Sequence, residues 1–407
     1  MDRGRISFYL LCLAMAFIEV GSGLFQVRLY GQFGSLGAPA SYYGLTYAVS
    51  VLPALVGPWI GHNLAARFGS FRPLLFIGIF VSCLLSIACM NADRIDLPLL
   101  LAAEAGCSLF AAFLAPIFQD AVRRRFEGAS EIRTVINIDV FILASSTIIG
   151  LGIGSLFYLA VGSLVYTVIV TCGYALSVII MTVSWLVAPN AFSYGGEQGA
   201  SDIRSVLSSV RSTPKQRFAL FLLPAVALVT APLLTILPAM TEASGIRSSL
   251  LPKSVDIATL MLFFRSFGQM VGPMVTKDWL ISLITKNTRV TVIFLISFVF
   301  CYGVAFLQKD ADVSFVMVFL AHVMTNIVFT VSFFSFQAQF SQNEIGAAAA
   351  LQSQLMTIIL LLSALIAGAL IDWGGILPVF CLSAAGLCAY SFIMTRLPRS
   401  AEFGQPE

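Results

Sequence analysis

Twelve stretches of mostly apolar residues, each roughly 19 to 26 residues long, are separated by short polar segments. They start near Ile6, Ala40, Leu74, Leu97, Thr134, Gly162, Phe218, Val255, Val290, Val313, Ile345 and Gly375. A helix needs about 20 such residues to cross a bilayer core. Inside lipid the backbone has no water to bond, so each stretch must satisfy its own N–H and C=O groups. The pattern therefore predicts an all-α membrane protein with twelve transmembrane helices. Charge usage agrees: 11% of the 407 residues are charged, against about 25% in soluble domains. A soluble enzyme, a disordered chain and a secreted disulfide scaffold are excluded. The first stretch contains Ala14-Met15-Ala16, which resembles a signal cleavage site, but it runs on to Leu29 and is read as a retained helix.

Orientation follows from where Lys and Arg fall. Segments on one side hold Arg3, Arg5, Arg67, Arg72, Arg123, Arg124, Arg125, Arg133, Arg204, Arg211, Lys215, Arg217, Lys277, Lys286, Arg289, Arg396 and Arg399. The other side holds only Arg94, Arg247, Lys253 and Lys309. The positive-inside rule then puts both chain ends in the cytoplasm. A net charge of +3 is too small to suggest nucleic acid. All eight Cys lie in apolar stretches without C-x-x-C spacing, and there are two His. No metal site, disulfide framework or cofactor is expected.

The longest polar stretch, Pro189 to Arg217, is rich in Gly and Ser and sits mid-chain. It reads as a cytoplasmic linker (189–217) between an N-terminal six-helix half (1–188) and a C-terminal six-helix half (218–407), with a short amphipathic helix at Ile203 to Val210 on the membrane surface. The halves echo each other. Val56-Gly57-Pro58 recurs as Val271-Gly272-Pro273, Arg72 as Arg289, Phe118-Gln119 as Phe336-Gln337, and Gly150 as Gly368, in order and at nearly constant spacing. Six helices per half make the repeat parallel, with its axis along the membrane normal.

A glycine signature closes the second stretch: Gly57-Pro58-Trp59-Ile60-Gly61, then Leu64-Ala65-Ala66-Arg67-Phe68-Gly69 and Arg72. With the repeat, it resembles the major facilitator superfamily of transporters over essentially the whole chain. That family usually has Asp where Ala66 stands, and one extra residue separates Gly61 from Leu64. The fourth stretch matches the family's Arg-containing pattern only at Gly106, with Ala102 at the arginine position. Gly150-Leu151-Gly152-Ile153-Gly154 is similar to the antiporters' glycine stretch, with Leu151 replacing the proline. The Ser201–Arg217 segment leading into Pro224, Pro232 and Pro238 is similar to bacterial siderophore and macrolide exporters. The resemblance implies alternating access, with Gly57, Pro58, Gly61, Gly69, Gly150, Gly154, Gly272 and Pro273 letting helices slide, and Asp120 pairing with Arg67 or Arg72 to hold the cytoplasmic side.

A charge at bilayer depth costs roughly 2.5–3.5 kcal/mol on insertion scales, so buried charges are candidate functional groups. Glu19 falls about 13 residues into the first stretch, near mid-membrane, and is the candidate proton carrier. The resemblance faces it onto the central path. Arg265 is similarly deep and is a candidate for an anionic substrate group or for pairing with Glu19. A structural ion pair within one half is the competing reading. Glu104 and Asp139 are further candidates on a proton path. Arg28, near a boundary, is expected to snorkel to water. His322 and Asn326, four apart, share a helix face with Phe329, Phe333, Phe334 and Phe336 nearby, a surface suited to a bulky amphipathic solute.

The expectation is therefore a monomeric, proton-coupled exporter of a bulky amphipathic small molecule, siderophore or drug-like, in the cell inner membrane. An importer or facilitator of a small organic solute is the alternative. A membrane-embedded enzyme is the reading from a different class, and the sequence offers it neither H-E-x-x-H nor G-x-S-x-G.

Overall fold

The first apolar stretch folds as one helix, α1 (Arg3–Leu36). In the computed structural model the described residues are 3–36, 38–69, 71–90, 97–126, 148–154, 163–189, 203–247, 257–341 and 343–396, with isolated positions between 135 and 146. Helix α1 ends seven residues beyond Leu29, because the polar residues after Leu29 stay within its hydrogen-bonded register.

The second span is built in two pieces. Helix α2 (Ala40–Val51) gives way to a 3₁₀ turn at Leu52–Leu55, after which α3 (Gly57–Phe68) resumes the path. Pro53 at the start of that turn and Pro58 at the start of α3 lack N–H groups, so the α ladder cannot run unbroken through them. Gly69 ends α3 with φ 77°, a left-handed conformation that only glycine adopts freely. Then come α4 (Phe71–Met90), α5 (Leu97–Arg125) and α6 (Ser163–Val187). The fifth span lies mostly outside the described residues, of which 148–154 are helical.

Helix α7 (Ile203–Ser212) leads into α8 (Pro214–Leu234) and α9 (Leu237–Ser244), which together form the next span. Pro232 and Pro238 flank the break at Thr235 and Ile236. The remaining elements are α10 (Ile257–Val275), a short α11 (Asp278–Lys286), α12 (Thr288–Leu307), α13 (Ala311–Gln339), α14 (Ile345–Gly374) and α15 (Leu377–Arg396). Side chains cap two of them: Asn287 accepts from Arg289 N–H at 3.1 Å, and Asp310 accepts from Asp312 N–H at 2.9 Å.

Eleven of the twelve expected spans thus appear as helices among the described residues, starting within four residues of the positions read from sequence. Eight of the described helical runs are long and apolar enough to cross a membrane. The outward faces of the helices are apolar: Phe76, Phe300 and Phe392 are 74%, 67% and 62% exposed. In water each such ring would forgo about 1.5–3 kcal/mol; in lipid there is no such cost.

Helix α7 forms where an amphipathic segment was expected, but its apolar face meets protein. Val206 and Val210 are buried against Ala219, Leu220, Phe336, Phe340 and Ile345. Four residues apart, they share one face, which the ends of α8, α13 and α14 cover.

The helices before residue 190 pack mainly among themselves, α1 on α6 and α4 on α6. Those after residue 213 do likewise, α10 on α13, α12 on α13 and α8 on α15. Helix α14 crosses between the two groups, touching α2, α3 and α5. At the end of the bundle that carries Pro39, Asp372 of α14 accepts from Ala40 and Ser41 of α2, and the Tyr43 hydroxyl donates to Glu242 of α9 at 2.7 Å.

Candidate functional site

Four helices bring polar side chains to the middle of the bundle. On α1, Glu19, Ser22, Gln26 and Tyr30 recur at intervals of three and four residues, so they form one stripe down a single face. Helix α5 adds Glu104 and Ser108, α2 adds Tyr47 and Ser50, and α10 adds Arg265. These residues line a cavity of about 390 Å³, closed on one side by Leu234, Thr235 and Pro238. Both broken spans border it, at Ser50–Val51 and at Leu234–Thr235. Irregular backbone at membrane depth is tolerated where it lines a cavity, and discontinuous helices are a common way to build a transport site. Gln354 Nε2 donates to the Leu55 carbonyl at 2.8 Å beside one of the breaks, tying α14 to it.

A second cavity of about 340 Å³ adjoins the first, sharing Glu19, Gln26, Tyr47, Leu234 and Arg265. Its far wall is largely apolar: Leu223, Val226, Ala227, Phe329, Met356 and Leu360. His322, Thr325 and Asn326 supply the polar contacts there. His322 is buried, with Nε2 2.7 Å from the Tyr302 hydroxyl and its ring edge-on to Phe298. A third, small cavity of about 90 Å³ leads from Glu19 past Met15, Ile18, Ala111 and Leu114.

Two charged groups in the larger cavity have unused bonding capacity among the described residues. Glu104 is buried, and its Oε2 has no hydrogen-bond partner; neither does Arg265 Nε. Buried polar groups are ordinarily bonded, and a buried unpaired charge costs several kcal/mol.

The sequence-predicted residues divide as follows. Glu19, Arg265 and Glu104 meet in one cavity, and His322 and Asn326 in the adjoining one. Asp139 lies outside the described residues, as do the side chains of Pro58, Asp120 and Arg123 to Arg125. Arg67 and Arg72 are exposed at the turn around Gly69. The glycines mostly serve packing within one group of helices. A Cβ at Gly57 would stand 2.8 Å from Ala112 Cβ, one at Gly61 3.2 Å from Phe113 Cα, one at Gly154 2.6 Å from the Tyr166 hydroxyl and one at Gly272 2.6 Å from Asn326 Cβ. Gly150 abuts the Val20 carbonyl, and Pro273 is buried inside α10. Gly368 differs: its Cβ would lie 3.1 Å from Ala40 O and from Ser41 Cα, across the contact between α14 and α2.

Arg28 does not snorkel. It is 2% exposed, because α1 continues well past it and turns the side chain into the bundle. Tyr30, Tyr47, Tyr174, Gln26 and Gln269 also line the cavities and were not singled out from sequence. The α1 stripe was the available signal for Gln26 and Tyr30.

The sequence matches no family model and no curated protein. Solved structures do match. The crystal structure of the human organic anion transporter MFSD10 (TETRAN) aligns at TM-score 0.68 and 12% identity, over 97% of this chain and 100% of that one. The E. coli fucose:proton symporter FucP aligns at TM-score 0.65 and 16% identity, over 97% and 99%. This is the major facilitator fold. Identities this low carry the fold and leave the chemistry to the cavity itself.

Proposed function

We propose that the chain is a secondary active transporter working by alternating access. In this reading residues 1–188 and 218–407 rock against each other about the 189–217 linker. One observation carries it: Glu19, from the N-terminal helices, and Arg265, from the C-terminal helices, line the same mid-bundle cavity. Two groups that must separate when the halves part, and that lipid would not accommodate cheaply, couple occupancy of the cavity to the conformational equilibrium. Glu19 and Glu104 are the proposed proton carriers, since carboxylates can give up their charge as the site closes.

The solute is a bulky amphipathic small molecule. Support comes from the cavity's two characters: a polar end at Arg265 and an apolar end at Phe329, Met356 and Leu360. The proposed orientation has both ends cytoplasmic and the Pro39 end outside, which the charge bias supports; the proposed location is the cell membrane and the proposed direction export. The structural neighbours support transport of this general kind, one being an organic anion transporter and the other a proton symporter.

The test uses the purified full chain in liposomes with an imposed proton gradient. Wild-type protein moves amphipathic dyes against their gradient, and Glu19→Gln abolishes the dependence on the proton gradient. Proton-driven flux that survives unchanged in Glu19→Gln removes the carrier assignment. Absence of any flux in wild type, across dyes of both charges and in both directions, removes the transporter reading.

A further inference from the structure

Glu104 and Arg265 approach the larger cavity from opposite sides of the linker, on α5 and α10. Glu104 is 6% exposed, and its Oε2 finds no hydrogen-bond partner among the described residues; Arg265 Nε is buried in the same condition. One wall of the site therefore presents an acceptor without a donor, and the other a donor without an acceptor. The lining of the two cavities carries two carboxylates, Glu19 and Glu104, and one cation, Arg265. A simple organic anion satisfies Arg265 and adds negative charge beside Glu104. A simple amine satisfies Glu104 and adds positive charge beside Arg265. Either leaves one of the two buried atoms, Glu104 Oε2 or Arg265 Nε, still without a partner, and an unsatisfied buried polar atom is costly.

We infer that the transported solute is a zwitterion with an apolar tail. Its basic nitrogen bonds Glu104, its acidic group bonds Arg265, and its tail lies along Leu223, Val226, Phe329 and Leu360. The tyrosines at the polar end, Tyr30, Tyr47 and Tyr174, suit this placement, since aromatic faces attract ammonium groups. The apolar wall of the adjoining cavity gives the tail a place contiguous with Arg265. Such a ligand joins the two halves through one molecule, so its binding favours the closed arrangement of both. The inference rests on the transporter reading for the role of the cavity, but its chemistry is read by binding alone.

Isothermal titration of the purified full chain decides it, using two matched sets of probes. The first is homophenylalanine with its deamino and decarboxy analogues, phenylbutyrate and phenylpropylamine. The second is α-aminodecanoate with decanoate and nonylamine. In at least one set the zwitterion is expected to bind about tenfold or more tightly than either partial analogue, as the loss of one buried charge-assisted bond implies. Glu104→Gln should erase the advantage over the acid, and Arg265→Gln the advantage over the amine. If the variants do not fold, the wild-type ranking still decides. An acid or amine binding as tightly as the zwitterion in both sets, or no saturable binding by any probe, overturns the inference. Because no gradient or flux enters the measurement, failure of the transporter reading would appear in liposomes and leave this ranking intact.

Discussion

The carboxylate of Asp372 lies 2.8 Å from the backbone nitrogen of Ala40, so the end of α14 caps the start of α2. Its second oxygen accepts from Ser41 N–H at 2.9 Å. A carboxylate at a helix N-terminus satisfies open donors and complements the helix dipole. Here the cap comes from the opposite half, and losing it costs the interface between halves as well as the helix. A cap of this kind is worth about 0.5–2 kcal/mol. Asp372→Ala is expected to raise the open population at the Pro39 end by about 2- to 30-fold. Cys107, a free buried thiol on the cavity wall, reports it: a membrane-impermeant maleimide added from that side should label Cys107 faster in the variant. An unchanged labelling rate would show that the cap does not hold this end shut.

Gly44 makes the same interface by contact rather than charge. A Cβ there would run into the Ala364 carbonyl on α14. Ala is the better helix former by about 1 kcal/mol, so any harm from Gly44→Ala must come from forcing α2 and α14 apart. The variant is expected to label faster at Cys107 while its thermal midpoint stays near wild type. Gly386→Ala is the contrasting case, because its Cβ meets the Leu228 carbonyl between α15 and α8, within the C-terminal helices. It should lower the thermal midpoint and leave the labelling rate alone. Equal behaviour of the two would dissolve the distinction between interface and packing.

What the sequence disclosed and what it withheld have physical reasons. Eleven of the twelve expected spans were legible among the described residues because lipid imposes a length and a composition on each of them. Glu19 and Arg265 stood out for the same reason, since a charge in such a run is conspicuous. Which way a side chain turns is set by neighbouring helices, and this is where reading along one helix failed. Arg28 resembled a boundary residue until α1 proved to continue beyond it. Glu104 resembled one candidate among several until α5 turned it toward Glu19. The breaks at Leu52–Leu55 and Thr235 are local and were half visible as Pro58, Pro232 and Pro238, but their place on the cavity wall is a tertiary fact. The glycine signature marked close helix approach correctly in kind. It could not say that Gly57 and Gly61 meet their own half while Gly368 meets the other.

Tyr302 and His322 form a buried polar pair between α12 and α13, 2.7 Å apart, with aromatic rings around them. Removing one partner strands the other. Tyr302→Phe is expected to destabilise the protein by about 1–3 kcal/mol, the usual cost of an unsatisfied buried group. Adding His322→Leu removes the stranded group and should recover part of the loss, since replacing both partners by apolar groups can be nearly neutral. Thermal unfolding of the single and double variants in detergent measures both steps. A double variant less stable than the sum of the two singles would mean that the pair is not the unit that matters.

Helix α7 offers a choice between two surfaces, protein and lipid, that single substitutions separate. Val206 is fully buried against Ala219, Phe336 and Ile345, whereas Leu207, one position on, is 39% exposed. Gln216 reinforces the protein side, accepting from the Ser209 hydroxyl at 2.8 Å and donating to the Gln339 carbonyl at 3.1 Å. If protein contact holds the helix, Val206→Asp buries an unpaired carboxylate and should cost roughly 3 kcal/mol or more. Leu207→Asp should stay within about 0.5 kcal/mol, as surface changes usually do. Thermal midpoints in lipid nanodiscs, with limited proteolysis between residues 189 and 203 as a second readout, compare them. Faster cleavage confined to Val206→Asp fits a linker helix docked on the C-terminal helices and moving with them. Equal losses from both would mean instead that the bilayer surface holds the helix, with the valine contacts secondary.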